Sequence, residues 1–143
     1  MNYRLMTMDD YDNVIGLWRE TEGVKLRDAD SREGIAKYLH RNPDLSFVAS
    51  ISGRVVGTIM AGHDGKRGYI QHLAVADQFR RDGVASRLVS KCLNALASEG
   101  ILKSHVMILS SNDVAKNFWR SLGWEARSDI ELYSFINGGG ENT

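Results

Sequence analysis

The sequence predicts one mixed α/β domain in the order β-α-α-β-β-β-α-β-α-β-β, a mixed sheet covered by helices on its faces. Three observations carry this. Strands and helices are interleaved unevenly, with three strand-like runs in succession between Phe47 and Val75, unlike the strict alternation of a doubly wound parallel sheet. Val84 to Glu99 places Ala85, Leu88, Val89, Cys92 and Leu96 at helical spacing, and Gly100 stands where a helix commonly ends. The 143 residues, 43% apolar and 25% charged, suit a single core.

The elements follow in order. A short strand, Asn2 to Met6, precedes Thr7, which stands three residues before Asp10 in a weak relative of the capping box. Tyr11, Val14, Ile15 and Trp18 then define the buried face of a first helix. The polar stretch Glu20–Asp30 leads into a second helix near Ser31–Arg41, with Ile35, Tyr38 and Leu39 on one face. Asn42-Pro43-Asp44 ends that helix, because Pro43 disfavours the helical conformation in the residue before it. Phe47–Ser50 and Val55–Ala61 read as a hairpin across Ser52-Gly53, and a turn from His63 to Gly68 leads to a third strand, Tyr69–Val75. After the long helix come a strand at Ser104–Leu109, a helix at Asp113–Leu122, and short strands near Trp124–Arg127 and Leu132–Ile136. The domain is expected to span residues 1–137, with the glycine-rich residues 138–143 as a flexible tail.

Composition excludes several functions. Lys and Arg (18) balance Asp and Glu (18), and no basic aromatic stripe is present, so neither nucleic acid nor an anionic membrane surface is an expected partner. The lone Cys92 rules out an intramolecular disulfide and a Cys-based zinc site, and His40, His63 and His105 show no metal-ligand pairing. No metal is expected. No apolar run reaches the length of a membrane span, and Asp9, Asp10 and Asp12 stand where a signal peptide needs apolar residues, so a cytoplasmic protein is expected.

The chemistry concentrates where the third strand gives way to the long helix, at Leu73-Ala74-Val75-Ala76-Asp77-Gln78-Phe79-Arg80-Arg81-Asp82-Gly83-Val84-Ala85. The first turn of a helix has unpaired N–H groups and a partial positive charge, a ready anion site. Gly83 and the small Ala85 admit a ligand to the main chain, and Arg80 and Arg81 add charge, a combination suited to a pyrophosphate. The loop has neither the Gly-Lys-Ser/Thr of a Walker motif nor the three glycines of a dinucleotide fingerprint. A plain loop with a solvated Arg pair is the alternative.

Arg80-Arg81-Asp82-Gly83-Val84-Ala85, preceded by Leu73-Ala74-Val75, resembles the acetyl-coenzyme A signature of the GCN5-related N-acetyltransferases, Arg/Gln-x-x-Gly-x-Gly/Ala. A second element, Asn112, Ala115, Trp119 and Leu122-Gly123-Trp124, resembles the Asn-x-x-Ala segment and the Leu-Gly-aromatic that follows it in the same family. The resemblance implies a mixed, mostly antiparallel sheet of about seven strands with four helices, and acetyl transfer from acetyl-coenzyme A to a primary amine of a small molecule or protein. It implies that Tyr69–Val75 splays from Ser104–Leu109 to hold the pantetheine arm. Main-chain groups of Leu73, Ala74 and Val75 would line that arm, with a Leu73 N–H as oxyanion donor. Amides of Arg81, Asp82, Gly83, Val84, Ala85 and Ser86 would hold the pyrophosphate. Asn112, Ala115, Phe118 and Trp119 would line the arm's other side, and Asn112 also suits an N-cap.

The acid and base roles stay open. Family bases occupy the positions of Tyr69 and Gln71, neither of them a good base, although either could position a relaying water. Strand alternation sends His72 to the opposite face, with Ile70 and Ala74, as a packed or hydrogen-bonded core histidine. Trp119 replaces the tyrosine that many members use to protonate the departing thiolate. Indole N–H is no usable acid, so Tyr133 or Ser110 could serve instead, or Trp119 could be a core aromatic beside Phe118. Glu22, Asp28 and Asp30, in a polar loop, could attract the amine. The other reading of that loop is a solvated connector in which Asp30 or Ser31 caps the second helix. Met107 could restrict the acyl pocket, which leaves longer acyl donors as a variant. The resemblance also allows a homodimer through the Leu132–Ile136 edge. A non-catalytic module that senses acetyl-coenzyme A is the competing function.

Overall fold

The computed structural model describes residues 1–143. Two compact units are distinguished, Met1–Met107 and Ile108–Thr143. The first holds a five-stranded sheet in the order β1 (Asn2–Leu5), β2 (Phe47–Ile51), β3 (Arg54–His63), β4 (Gly68–Val75) and β5 (Ser104–Val106). The first three pairings are antiparallel and β4–β5 is parallel, so the sheet is mixed and mostly antiparallel as expected. Helices α1 (Tyr11–Glu20), α2 (Arg32–Arg41) and α3 (Val84–Ser98) belong to this unit, and α4 (Asp113–Ser121) to the second.

The hairpin and the caps form where the sequence puts them. Ser52 and Gly53 both take positive φ (51° and 76°), the twist that a two-residue hairpin loop needs. Ser31 Oγ accepts the Gly34 N–H at 3.0 Å and caps α2, so Ser31 rather than Asp30 has that role. Thr7 N–H donates to Asp10 Oδ2 at 2.9 Å, and Arg4 grips the same carboxylate through two nitrogens at 2.7 and 2.9 Å.

Each face of the sheet has its own helices. Trp18 and Val14 of α1 and Ile35 of α2 are buried in one core with Val48, Met60 and Ala74. On the other face α3 lies close to β3, because a Cβ at Gly57 would meet Val84 Cγ1 at 3.0 Å and Leu88 Cδ1 at 3.2 Å. Cys92, buried on α3, donates its S–H to Leu45 O at 3.2 Å.

Two expectations are corrected. The strand expected over Ser104–Leu109 pairs only from Ser104 to Val106, and Met107 beyond it is exposed. The strands expected near Trp124–Arg127 and Leu132–Ile136 do not form, so the sheet has five strands rather than about seven. Leu132, Tyr133 and Phe135 are exposed in extended chain without a ladder partner. Their apolar alternation suits a strand, but a strand exists only when another pairs with it.

Candidate active site

The site is built around β4. Its antiparallel register against β3 breaks once. Gln71 faces Met60 and Ala74 faces Thr58, so His72 and Leu73 together oppose Ile59. His72 accordingly takes φ +51°, in the left-handed region that non-glycine residues rarely adopt. Such a bulge re-aims the side chains that follow it.

This bulge overturns one sequence expectation. His72 does not point to the face opposite Gln71. Its ring packs against Trp18 of α1, centroids 4.5 Å apart and planes tilted by 55°, and its Nε2 lies 2.6 Å from Asp30 Oδ1. Trp18 shares a core with Met60, the partner of Gln71, so His72 and Gln71 lie on the same side of the sheet. The reading of His72 as a hydrogen-bonded, largely buried histidine holds. Simple alternation could not reveal the side it faces, because one inserted residue reverses the count.

Asp30 is the residue whose partner the sequence concealed. It ends a short 3-10 turn, Asp28–Asp30, just before α2. Oδ2 accepts the Arg27 N–H at 2.9 Å while Oδ1 meets His72. Burial pushes the Asp30 carboxyl up, but the hydrogen bonds from His72 and the Arg27 amide outweigh it and hold the group below its ordinary range. Thr58 completes the cluster. Its Oγ1 accepts the Trp18 Nε1–H at 2.8 Å and donates to His72 O at 2.9 Å.

A cavity of about 260 Å³ opens beside these residues, with Asp30, Ile35, Tyr38, Met60 and Gln71 in its wall and Lys37 and Arg41 of α2 at its rim. Gln71 sits against the Tyr38 hydroxyl, whose pKa burial raises. Tyr69 is 38% exposed, with its hydroxyl 3.5 Å from Asp64. A second hollow of about 220 Å³ lies between α1 and the end of β4, reaching Arg80.

The other edge of β4 is open. Pairing with β5 stops at Ile70–Val106. Ala76 N–H bonds Val56 O at 2.8 Å, so by alternation Ala74 also faces β3, and Leu73 and Val75 turn their amide groups toward the unpaired edge. The strand then runs through a 3-10 turn, Asp77–Phe79, to α3. Arg80 is engaged in shaping this loop: its Nε donates to Val75 O at 3.3 Å and its Nη2 pairs with Asp77 at 3.1 Å. Arg81 and Gly83 take positive φ (69° and 78°). Gly83 is the N-cap of α3 and no side chain caps it, while Asp82 and Arg81 are exposed. A Cβ at Gly83 would meet nothing within 4 Å, so the space beside the N-cap of α3 is open, while Val84 is buried and Ala85 and Ser86 are half-buried.

In the second unit, Asn112 Oδ1 accepts the Ala115 N–H at 3.0 Å and caps α4. Trp119 is buried, edge-on to Phe118 (5.3 Å) and Trp124 (4.6 Å). This is the packing of a core aromatic. Tyr133 is 86% exposed and donates to Glu131 at 3.1 Å, and Ser110 O accepts from Lys116 Nζ. No group of His, Cys, Asp and Glu side chains could hold a metal ion.

An open strand edge that leads into an uncapped helix start is a frame for a long ligand ending in phosphate groups. The profile of the acetyltransferase (GNAT) family matches residues 11–124, and the chain belongs to that family. It is an acetyltransferase, with acetyl-coenzyme A as donor and an amine as the acceptor class. Acetyltransferase ECA0875 of Pectobacterium atrosepticum is 33% identical over 132 residues, 92% of this chain and 93% of that protein. Acetyltransferase SG1711 of Sodalis glossinidius is likewise 33% identical, over 92% of each chain. Among solved structures, the PaiA N-acetyltransferase of Thermoplasma acidophilum in complex with coenzyme A superposes with a TM-score of 0.80 at 16% identity, covering 90% of this chain and 92% of that one. Aminoglycoside 6'-N-acetyltransferase AAC(6')-IG of Acinetobacter haemolyticus gives 0.79 at 16% identity, over 96% of this chain and all (100%) of that one.

Proposed function

We propose that this chain transfers the acetyl group of acetyl-coenzyme A to a primary amine, on a small molecule or a protein, by direct attack of the amine on the thioester. The observation that carries the reading is the free edge of β4 beyond Ile70, continuous with the uncapped start of α3. The pantetheine amides would extend the sheet along Leu73, Ala74 and Val75, as an added strand does. The amides of Arg81 to Ser86 would take the pyrophosphate, assisted by the helix dipole. The Leu73 N–H, turned to the open edge, would stabilise the oxyanion of the tetrahedral adduct. Tyr69 and Gln71 lie along the same strand, with Gln71 in the wall of the 260 Å³ cavity that we assign to the acceptor.

That cavity has apolar side chains within and two cations at its rim, which suits a compact amine better than a polycation. Aminoglycosides are named in the descriptions of several structural neighbours and belong in any acceptor panel.

Thermal unfolding with and without acetyl-coenzyme A tests the donor site, using Gly83→Glu and Gly83→Ala. A native-state ligand stabilises by about 2.7 kcal/mol at a hundredfold excess over Kd. Both variants carry the strain of a side chain at φ +78°, but only glutamate adds bulk and negative charge where the pyrophosphate would lie. The expected result is a ligand shift kept by Gly83→Ala and lost by Gly83→Glu. A shift that survives in Gly83→Glu refutes the assigned phosphate site. Thiol release with a panel of alkyl, arylalkyl, amino-acid and aminoglycoside amines then separates catalysis from mere binding.

A further inference from the structure

We infer that His72 is the general base of this acetyltransferase, taking a proton from the acceptor ammonium, and that Asp30 is the positioning residue that orients its ring. The inference rests on the function proposed above and adds the group that removes the proton. Its basis is the bulge in β4, which moves His72 onto the side of the sheet that carries Gln71, and the contact of His72 with Asp30, which stands with Gln71 in the wall of the acceptor cavity.

The geometry specifies how the ring is used. Nε2 is committed to Asp30 Oδ1 at 2.6 Å, so with the imidazole neutral Nε2 carries the proton and Nδ1 keeps the lone pair. Asp30 cannot swing away, since the Arg27 amide holds its second oxygen at 2.9 Å and the Tyr11 hydroxyl donates to its main-chain O at 2.7 Å. Trp18 packs against the ring from α1 with its plane tilted by 55°, and Thr58 holds the His72 carbonyl from β3. The side chains of His72 and Asp30 are only 14% and 10% exposed. Asp30 itself lines the cavity, and Leu73, the proposed oxyanion donor, is the next residue in the chain. His72 also holds a left-handed φ of +51°, and such backbone strain is concentrated at functional sites.

The other titratable groups near this cavity are poor candidates. Tyr38 stays protonated because burial raises its pKa, and Lys37 and Arg41 of α2 are cations at the rim. Asp30 remains an anion and stabilises the imidazolium that forms. Tyr69 faces Asp64 at the strand's other end.

An ammonium N–H bond breaks and its proton goes to His72 Nδ1. The freed nitrogen pair forms a C–N bond to the thioester carbon, and the carbonyl π pair moves onto oxygen. That pair returns as the C–S bond breaks and sulfur departs with its electrons. A second proton, lost from the adduct nitrogen, ends on the sulfur. The products are acetamide and coenzyme A thiol, and His72 releases the first proton to solvent.

A structural clasp would use the same contacts, so the test reads pH dependence as well as rate. Thiol release from acetyl-coenzyme A is measured across pH 5–9 with phenethylamine and the amine panel above, for wild type, His72→Gln and Asp30→Asn, alongside the acetyl-coenzyme A thermal shift. General-base catalysis is worth about 10²–10⁴-fold. His72→Gln is expected to lose activity in that range, mainly in kcat, and to lose the acid limb of the rate profile, while the thermal shift is kept. Asp30→Asn keeps a hydrogen-bond acceptor at Nε2 but removes the anion that stabilises the imidazolium as it forms, so kcat should fall while KM and the thermal shift are kept. The proposal is overturned if folded His72→Gln keeps kcat within threefold with the limb unchanged. If His72→Gln fails to fold, a folded Asp30→Asn variant with wild-type kcat overturns it equally. No thiol release by the wild type with any amine overturns the acetyl-transfer reading itself, a result distinct from either.

Discussion

Thr58 offers the sharpest test of how the site is held. It is fully buried, and one hydroxyl serves two groups: it accepts from Trp18 Nε1–H at 2.8 Å and donates to His72 O at 2.9 Å. Thr58→Val keeps the shape and the β-branch and removes both bonds. Each buried group left unpaired costs about 1–3 kcal/mol, and the added apolar surface returns no more than about 0.8 kcal/mol. The expected loss is therefore about 1–5 kcal/mol. Thr58→Ser is the control, since it keeps the hydroxyl and gives up one methyl, worth about 0.5–1.5 kcal/mol. Urea unfolding followed by tryptophan fluorescence reads the difference. With a slope of about 2 kcal/mol/M, typical of a small domain, Thr58→Val should lower the midpoint by about 0.5–2.5 M. The expected order of stability is wild type, Ser, Val. A Val variant as stable as the Ser variant would show that these two bonds do not secure the bulge, and the argument for His72 would lose its support from β3.

Three further outcomes follow from the packing. Gly34→Ala should destabilise by about 1–3 kcal/mol despite the better helix propensity of alanine, because its Cβ would stand 2.1 Å from Ala29 O; calorimetry checks this, and the shifted turn should also weaken the Asp30–His72 contact and lower kcat. Burial pushes the Cys92 thiol up to about 12, so iodoacetamide should label it only through opening of α3, at a rate that rises with urea; labelling at the rate of a free thiol in native buffer would contradict that packing. The paired hydrogen bonds from Arg4 hold the Asp10 carboxyl below its ordinary range against the opposing effect of burial, with help from the Thr7 amide. A depressed carboxyl contributes stability above its unfolded pKa, about 3.9, and loses it as pH falls through the folded value. Asp10→Asn should accordingly cost about 1.5–3 kcal/mol at neutral pH and flatten the acid limb of the stability curve, measured by urea unfolding from pH 2.5 to 7.

Much of this molecule is local in origin and was legible along the chain. Val14, Ile15 and Trp18 at helical spacing suffice to say which side of α1 is buried. Ser31 caps α2 through a contact three residues away, and Asn112 caps α4 in the same way. Gly83 and the turn before it announce an uncapped helix start because glycine alone tolerates that backbone without strain. The proposed donor side rests on such features, all within a few residues of one another.

The acceptor side could not. The contact between His72 and Asp30 joins residues 42 apart, and the contact between Trp18 and Thr58 joins residues 40 apart. Neither has a signature in spacing. The face that His72 presents depends on one extra residue in β4 opposite Ile59, and a ladder register is a property of two strands together. The terminal segment makes the same point in reverse: Leu132 to Ile136 has the pattern of a strand and no partner to make it one. The sequence by itself determined the helices, the caps and the glycine turn that starts α3, because short-range sterics and hydrogen bonds set them. Only the tertiary structure decided which histidine meets which carboxylate and on which side of the sheet, because pairing and burial are settled between segments far apart in the chain.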